Sequence, residues 1–369
     1  MLLQFLTKGN NMSVFYKTMV AAFEKRQKPT KFLSNFFKPV FLDGIVAEIQ
    51  GRDVKSTYSI DTQLGTGGRR HDFSYHDVKE YTVPEYNDYT VITEEDVFKK
   101  QFGQTEYKAV SAVDVANLAT KRQGIFSDMQ VRSIEKQASD AFFNGKIVLS
   151  NGDEITFRKK ASHNIAKANA DRWTVTTVDP LADIESACQK CIDDGKISAS
   201  EFNLILESKG LNALLNNPIF RANADLTKNI KRADISMPIE KTPGAMYHGQ
   251  FSAGAYVVNL WSYNEKYEIP DGYDFANEGT SVQYIPQGRG VLIPSGVKYK
   301  LFYGEINNTD FKAPSIIGGK LNPVKAKQLP YSYEEVKGGS AVLIAGVKSR
   351  PMVYPENVDT FVTFSNLTA

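Results

Sequence analysis

Between Val110 and Asn144 the chain runs without a proline, and Val113, Leu118, Arg122, Ile125, Met129, Ile134, Ala138, Ala141 and Phe142 recur at steps of three to five. That is the spacing of one helical face. It predicts one long helix, or two joined near Gly124. At 1.5 Å per residue such a helix reaches roughly 50 Å, more than a compact domain of this size needs. A chain of 369 residues is expected to form one very large unit or two to three smaller ones.

Around this helix the pattern alternates between helix and strand signals. Lys146–Ser150 and Asp153–Phe157 flank Asn151-Gly152, the dipeptide that favours a type I′ turn, and predict a hairpin. Upstream, Ser13–Gln27 carries Phe15, Met19, Val20 and Phe23 at helical spacing until Pro29 ends the pattern. From residue 40 to 92, Ile45, Ala47, Ile49, Phe73, Tyr75, Tyr81 and Val83 alternate on either side of Gly65-Thr66-Gly67-Gly68-Arg69-Arg70. This predicts a long two-stranded extension with a glycine tip, too poor in core to stand alone and expected to pack on something else, such as another subunit. Asp179-Pro180 starts a helix and Gly195 stops it. Phe202–Leu206, Gly254–Trp261 and Arg289–Pro294 are expected strands, with a short helix over Leu211–Asn216. Lys298–Ile306, Ala341–Val347 and Thr360–Phe364 continue as strands, so the fold class is α+β.

Composition excludes disordered and collagen-like classes: 42% of residues are hydrophobic and 23% charged. The net charge of +2 is not that of a general polyanion binder. Its distribution is uneven, because residues 1 to 40 hold Lys8, Lys17, Lys25, Arg26, Lys28, Lys31 and Lys38 against Glu24 alone. Such an arm is either a solvated tail or a surface facing nucleic acid or an acidic partner. The absence of a signal-like start and of any run of about 18 apolar residues predicts a soluble protein of the cytoplasm with no membrane partner.

The residues that carry chemistry form no complete site. Cys188 and Cys191, the only cysteines, share an apolar helical stripe with Ile184, Ala187 and Ile192 and are expected in the core. A metal or redox role would need further ligands or a reactive thiol. His71-Asp72 and His76-Asp77 lie in an expected strand, where the two histidines face opposite sides. His163 and His248 are isolated in sequence. Gly65–Arg70 lacks the Lys-Ser/Thr of a phosphate loop. Its Gly65, Gly67 and Gly68 give a flexible tip, and Arg69 and Arg70 suit a carboxylate on a neighbouring subunit. No catalytic residue, cofactor or metal site is predicted, and the chain is not expected to be an enzyme. An arm, a long hairpin, an overlong helix and many aromatics suit a protein that buries surface against copies of itself.

The order of these elements resembles the major capsid proteins of lambda-like tailed bacteriophages, the phage capsid protein E family, with the Hong Kong 97-type fold. The resemblance rests on Phe36-Phe37, on Pro84-Glu85-Tyr86-Asn87-Asp88, on the long helix leading to the Asn151 hairpin, on Arg172-Trp173 and on Asp179–Glu185. It continues through Tyr299–Ile306 and Pro351–Phe361. It implies an N-terminal arm (1–40), an extended loop (41–92), a peripheral domain with a spine helix (93–180 and 305–369) and an axial α/β domain (181–304). The stretch Tyr263–Tyr284 departs most from the family pattern. The implied function is a self-assembling head protein, made in the host cytoplasm and resident in the virion capsid. Its implied partners are itself as hexamers and pentamers, a scaffold, a portal, a decoration protein and enclosed double-stranded DNA bound without sequence specificity. The basic residues of the arm are Lys17, Lys25, Arg26, Lys28 and Lys31, and a DNA-binding protein using that arm is one rival reading. Other rival readings are an encapsulin-type nanocompartment shell and, from another class, a cytoplasmic redox or metal enzyme using Cys188 and Cys191.

Overall fold

The computed structural model of the chain describes residues 28–51, 77–93, 95–96, 112–149, 152–157, 159–225, 233–270, 279–308, 322–337 and 340–368. In chain order the strands begin with β1 (Phe37–Phe41), β2 (Val46–Gly51), β3 (Asp77–Thr82) and β4 (Tyr86–Ile92). The helix α1 (Ala112–Phe143) precedes β5 (Lys146–Val148), β6 (Glu154–Thr156) and β7 (Asn164–Ala166). Next come α2 (Pro180–Gly195), β8 (Glu201–Leu206), α3 (Ser208–Asn216) and α4 (Pro218–Asp225). They are followed by β9 (Ala233–Thr242), β10 (Ala245–Ala253), β11 (Tyr256–Tyr263), β12 (Lys266–Glu268), β13 (Ser281–Gln283) and β14 (Gly290–Pro294). The chain continues through β15 (Tyr299–Tyr303), β16 (Ile306–Asn308), β17 (Asn322–Val324) and β18 (Leu329–Lys337). It finishes with β19 (Ser340–Ser349), β20 (Pro351–Tyr354) and β21 (Val362–Ser365).

The chain divides into two compact units. The first comprises Met1–Pro29, Pro84–Ser133 and Tyr303–Pro351; the second comprises Thr30–Val83, Ile134–Phe302 and Met352–Ala369. The predicted long helix forms as one piece of 32 residues, unbroken at Gly124. Its stripe is not uniformly buried, however. Ile134, Ala138, Ala141 and Phe142 are in the core, whereas Ile125 and Met129 are exposed.

The first unit contains the antiparallel sheet β18-β19-β4. One face lies under α1, where Val115, Leu118 and Ala119 meet Ile92, Leu343 and Ala345. Polar side chains of the helix complete that contact. Gln123 Nε2 donates to Tyr331 O at 2.8 Å, Gln130 Nε2 to Val347 O at 2.8 Å, and Arg122 to the Thr90 hydroxyl at 3.0 Å.

The second unit is built on a seven-stranded mixed sheet in the order β7-β21-β14-β8-β11-β10-β9. Its core contains Trp173, Ile184, Phe202, Leu204, Leu214, Phe251, Leu260, Phe364 and both cysteines. As the Asp-Pro signal predicts, Asp179 accepts from Leu181 N at 2.9 Å and Pro180 occupies the first turn of α2. The helix ends at Gly195, as predicted. The left-handed residue is the next one, Lys196, with φ of 50°, and Gly195 serves closeness: a Cβ there would stand 3.0 Å from Asp359 O and Thr360 Cγ2. The Asn-Gly hairpin pairs Lys146–Val148 with Glu154–Thr156. Its turn is not the two-residue one expected, because Gly152 N donates to Leu149 O at 3.0 Å and Gly152, at φ of 87°, ends the turn. Strands β9, β10 and β18 are additional to those the pattern predicts.

Candidate assembly interface

Self-association, which the sequence resemblance implies, would bury surface that a single copy leaves exposed, so the relevant geometry is where chain segments leave a core and where apolar side chains are exposed. The arm enters the described structure at Lys28, and Lys28 and Lys31 are both exposed. From there the chain becomes an anchored strap. Phe32, Leu33 and Phe37 are buried. Phe32 packs on Trp261 and Tyr263 at 5.4 and 5.2 Å, and Phe37 on Phe142 and Tyr299 at 5.2 and 5.4 Å. Lys298 Nζ donates to Asn35 O at 3.0 Å and lies 5.7 Å from the Phe36 ring centre.

The extended loop is visible at its base. Strands β2 and β3 pair antiparallel from Val46↔Thr82 to Gly51↔Asp77, and Val83 N donates to Ile45 O at 2.9 Å. Ile45 and Val46 are exposed there. Tyr81 turns inward, its hydroxyl on Thr156 O and its ring 6.3 Å from Tyr354. The tip residues Gly65, Gly67, Gly68, Arg69 and Arg70 lie outside the described residues, as do Lys17, Lys25, Arg26 and His71, Asp72 and His76.

The third surface was not singled out by the sequence pattern. Opposite α1, the face of β18-β19-β4 carries Tyr89, Val91, Ile344, Tyr331 and Tyr333 by strand alternation. Tyr89 is 59% exposed and Val91 is exposed beside it. Tyr331 and Tyr333 stack at 6.3 Å and 17°, Lys348 Nζ sits 5.2 Å over the Tyr331 ring, and the Tyr331 hydroxyl donates to Asn87 Oδ1 at 2.8 Å. Tyr331 crosses the central strand only because position 346 is glycine: a Cβ there would come within 2.6 Å of the ring. Alternating Tyr and Val on β4, and Tyr on β18, were the available sequence signal. Aromatic rings are enriched at the centre of interfaces, whereas a lysine such as Lys348 suits the rim.

The chemical candidates stand elsewhere. Cys188 and Cys191 are fully buried. Burial pushes the Cys188 thiol up to about 12 and raises Cys191 too, so both are protonated core residues rather than nucleophiles. His163 is buried between Phe361 O and Asp194, 3.0 Å from each, and His248 Nε2 lies 2.8 Å from Ser262 Oγ. No cluster of metal-ligating side chains occurs among the described residues. No helix among them is long and apolar enough to cross a membrane.

Comparison with known proteins agrees with the architecture. The chain is similar to the putative capsid protein of a prophage of E. coli CFT073, with a TM-score of 0.60, 16% identity, and coverage of 92% of this chain and 93% of that one. It is also similar to the capsid structure of cyanophage P-SCSP1u, with a TM-score of 0.50, 9% identity, and coverage of 95% and 93%. At these identities the likeness concerns the fold, which is the Hong Kong 97-type capsid fold that the sequence resemblance implies. A search of curated proteins finds no match. The model of phage major capsid protein E matches residues 19–366, which is nearly the whole chain, and the protein therefore belongs to that family.

Proposed function

We propose that copies of this chain associate into hexamers and pentamers and close into the icosahedral wall of a phage head around packaged double-stranded DNA. The observation that carries this reading is the family match over residues 19–366. The exposed Tyr89 and Val91 on the aromatic face of β18-β19-β4, and Ile45 and Val46 at the base of the loop, supply surfaces for the contacts. In the domain assignment this reading implies, residues 1–40 are the arm, 41–92 the loop over an adjacent subunit, 93–180 with 305–369 the peripheral domain, and 181–304 the axial domain. The role is structural rather than enzymatic, exercised in the virion after synthesis in the host cytoplasm with a scaffold, a portal and a decoration protein. A net charge of +2 suits a wall that encloses DNA without gripping it, since many phosphate contacts would resist ejection.

Electron microscopy and sedimentation of the recombinant chain at high concentration test this. Closed shells, tubes or capsomer rings are expected. A species that stays monomeric with scaffold and in high salt would sink the proposal. Shells that carry a co-encoded enzyme instead of DNA would favour the encapsulin reading. Fast thiol labelling of the folded chain would revive the redox reading, against the burial of Cys188 and Cys191. Deleting residues 1–40 tests the arm: lost DNA retention would assign its cations to nucleic acid.

A further inference from the structure

His163 ends a single helical turn, Ala161–His163, that leads into β7, and its ring is fully buried. Nothing in the head-protein role uses it. Nδ1 lies 3.0 Å from Phe361 O, just before β21, and Nε2 lies 3.0 Å from Asp194 Oδ2, on the last turn of α2. Both partners are acceptors. A carbonyl oxygen has no proton to give, so Nδ1 must donate. Asp194 is ionised: Lys160 Nζ sits 2.8 Å from its Oδ1, and Lys160, then His163, hold its carboxyl below the usual carboxylate range. Nε2 must therefore donate as well. A neutral imidazole has one N–H and one lone pair, and either tautomer would set that lone pair against an oxygen lone pair at 3.0 Å.

Other titratable groups surround the pair. Lys160 also reaches Asp359 Oδ2 at 3.2 Å, in the turn before β21. Lys159 Nζ lies 2.7 Å from Thr363 Oγ1 and 5.0 Å from the centre of the Phe361 ring. Burial pushes up both the Cys191 thiol on α2 and the Tyr299 hydroxyl, which is 2.9 Å from Thr360 Oγ1, so these two bring no charge.

We propose that His163 is a buried imidazolium that clasps β21 to the end of α2, and that losing one ring proton opens the clasp. Charged, the ring donates to both partners. Neutral, it can keep Phe361 O or Asp194 but not both, and the dropped contact leaves a buried polar atom unpaired. Asp194 supplies the opposite charge against which a buried cation is tolerated. The clasp acts where the sheet is completed, since β21 fills the place between β7 and β14. Two further ties at this junction carry no charge: Asn357 Nδ2 donates to Gly195 O at 3.0 Å, and Thr363 Oγ1 to His163 O at 3.3 Å.

With only four histidines in the chain, the ring can be observed directly. The full chain, unassembled and labelled with ring-15N histidine, is followed by NMR from mildly acidic to alkaline pH, and His163→Gln identifies the signal. Two ring N–H groups are expected on His163 at the acidic end, with one lost as pH rises. Hydrogen-exchange protection of residues 361–365, read against that of β8, should fall about tenfold or more over the same interval, as for one lost hydrogen bond to a charged group. In Asp194→Asn the side-chain amide can donate to a neutral Nε2, so one N–H and level protection are expected throughout. Lys160→Met removes the other cation on Asp194 and should leave both N–H groups and the fall in place. A single N–H on His163 at every pH at which the chain is folded overturns the proposal. So does protection that stays level while the second proton leaves, a proton that leaves only when β8 is lost too, an unaltered fall in Asp194→Asn, or a fall that vanishes in Lys160→Met.

Discussion

Two of the sheets of this protein are finished to different degrees. The seven-stranded sheet closes over its own core, with Trp173, Phe202, Leu204 and Phe364 fully buried. The sheet β18-β19-β4 has one face under α1, and the other is aromatic and leaves Tyr89 and Val91 exposed beside a buried Ile344. The difference separates two demands on a shell protein. One region must be rigid before assembly, and the other must retain surface to bury during it. Substitutions in the first should therefore act on folding, and substitutions on the second on association.

The largest effect is expected from Trp173→Ala, which empties the centre of the closed core and costs about 3–5 kcal/mol. Denaturant unfolding of the unassembled chain measures it, and a loss below ~1 kcal/mol would mean that this core is less tightly packed than its burial implies. Gly346→Val drives side-chain atoms into the Tyr331 ring and should cost about 1–3 kcal/mol through overpacking while also displacing the aromatic face. Stability and shell yield should fall together in that variant. Asp179→Ala removes the cap of α2 and should cost ~1 kcal/mol with shell formation retained. Smallest in folding is Tyr89→Ser, within about 0.5 kcal/mol of the wild type because the ring is mostly outside the core. Sedimentation should nevertheless show fewer shells, and unchanged assembly would remove the open face from the interface.

A titration sharpens the same contrast. Lys159 Nζ lies inside the closed unit, donating to Phe142 O at 3.0 Å and Thr363 Oγ1 at 2.7 Å. Burial, followed by the charge of Arg289, pushes it down from 10.5 to about 7. Between those values the unfolded chain holds a proton that the folded chain has released, so stability should rise with pH across that window. Unfolding midpoints measured through it should climb in the wild type and flatten in Lys159→Met.

Sequence periodicity made much of the closed unit legible. Asp179-Pro180 marks α2, and Ile184, Ala187, Cys188 and Cys191 mark its buried side. What escaped was polar and non-local. Glu135, Gln137 and Ser139 look like solvent-facing helix residues, yet each satisfies a distant backbone group: Leu33 and Ser34, Val353, and Tyr284. No spacing rule encodes a partner more than 100 residues away. Strand β10, with Gly249, Gln250 and Ser252 among its residues, lacks the run of branched side chains that announces a strand. The open face was readable only as Tyr and Val alternation on β4, and the need for Gly346 appears only once Tyr331 lies across it.

The position of β21 bears on how the protein is made. Val362–Ser365 lies between β7 and β14, pairing with residues around 164 on one side and 290 on the other. The seven-stranded sheet has a gap until that strand arrives. During translation a nascent chain therefore carries an unfinished core until the ribosome has delivered residue 365. Until then the facing edges of β7 and β14 stay unpaired, and such edges are open to pairing with another chain.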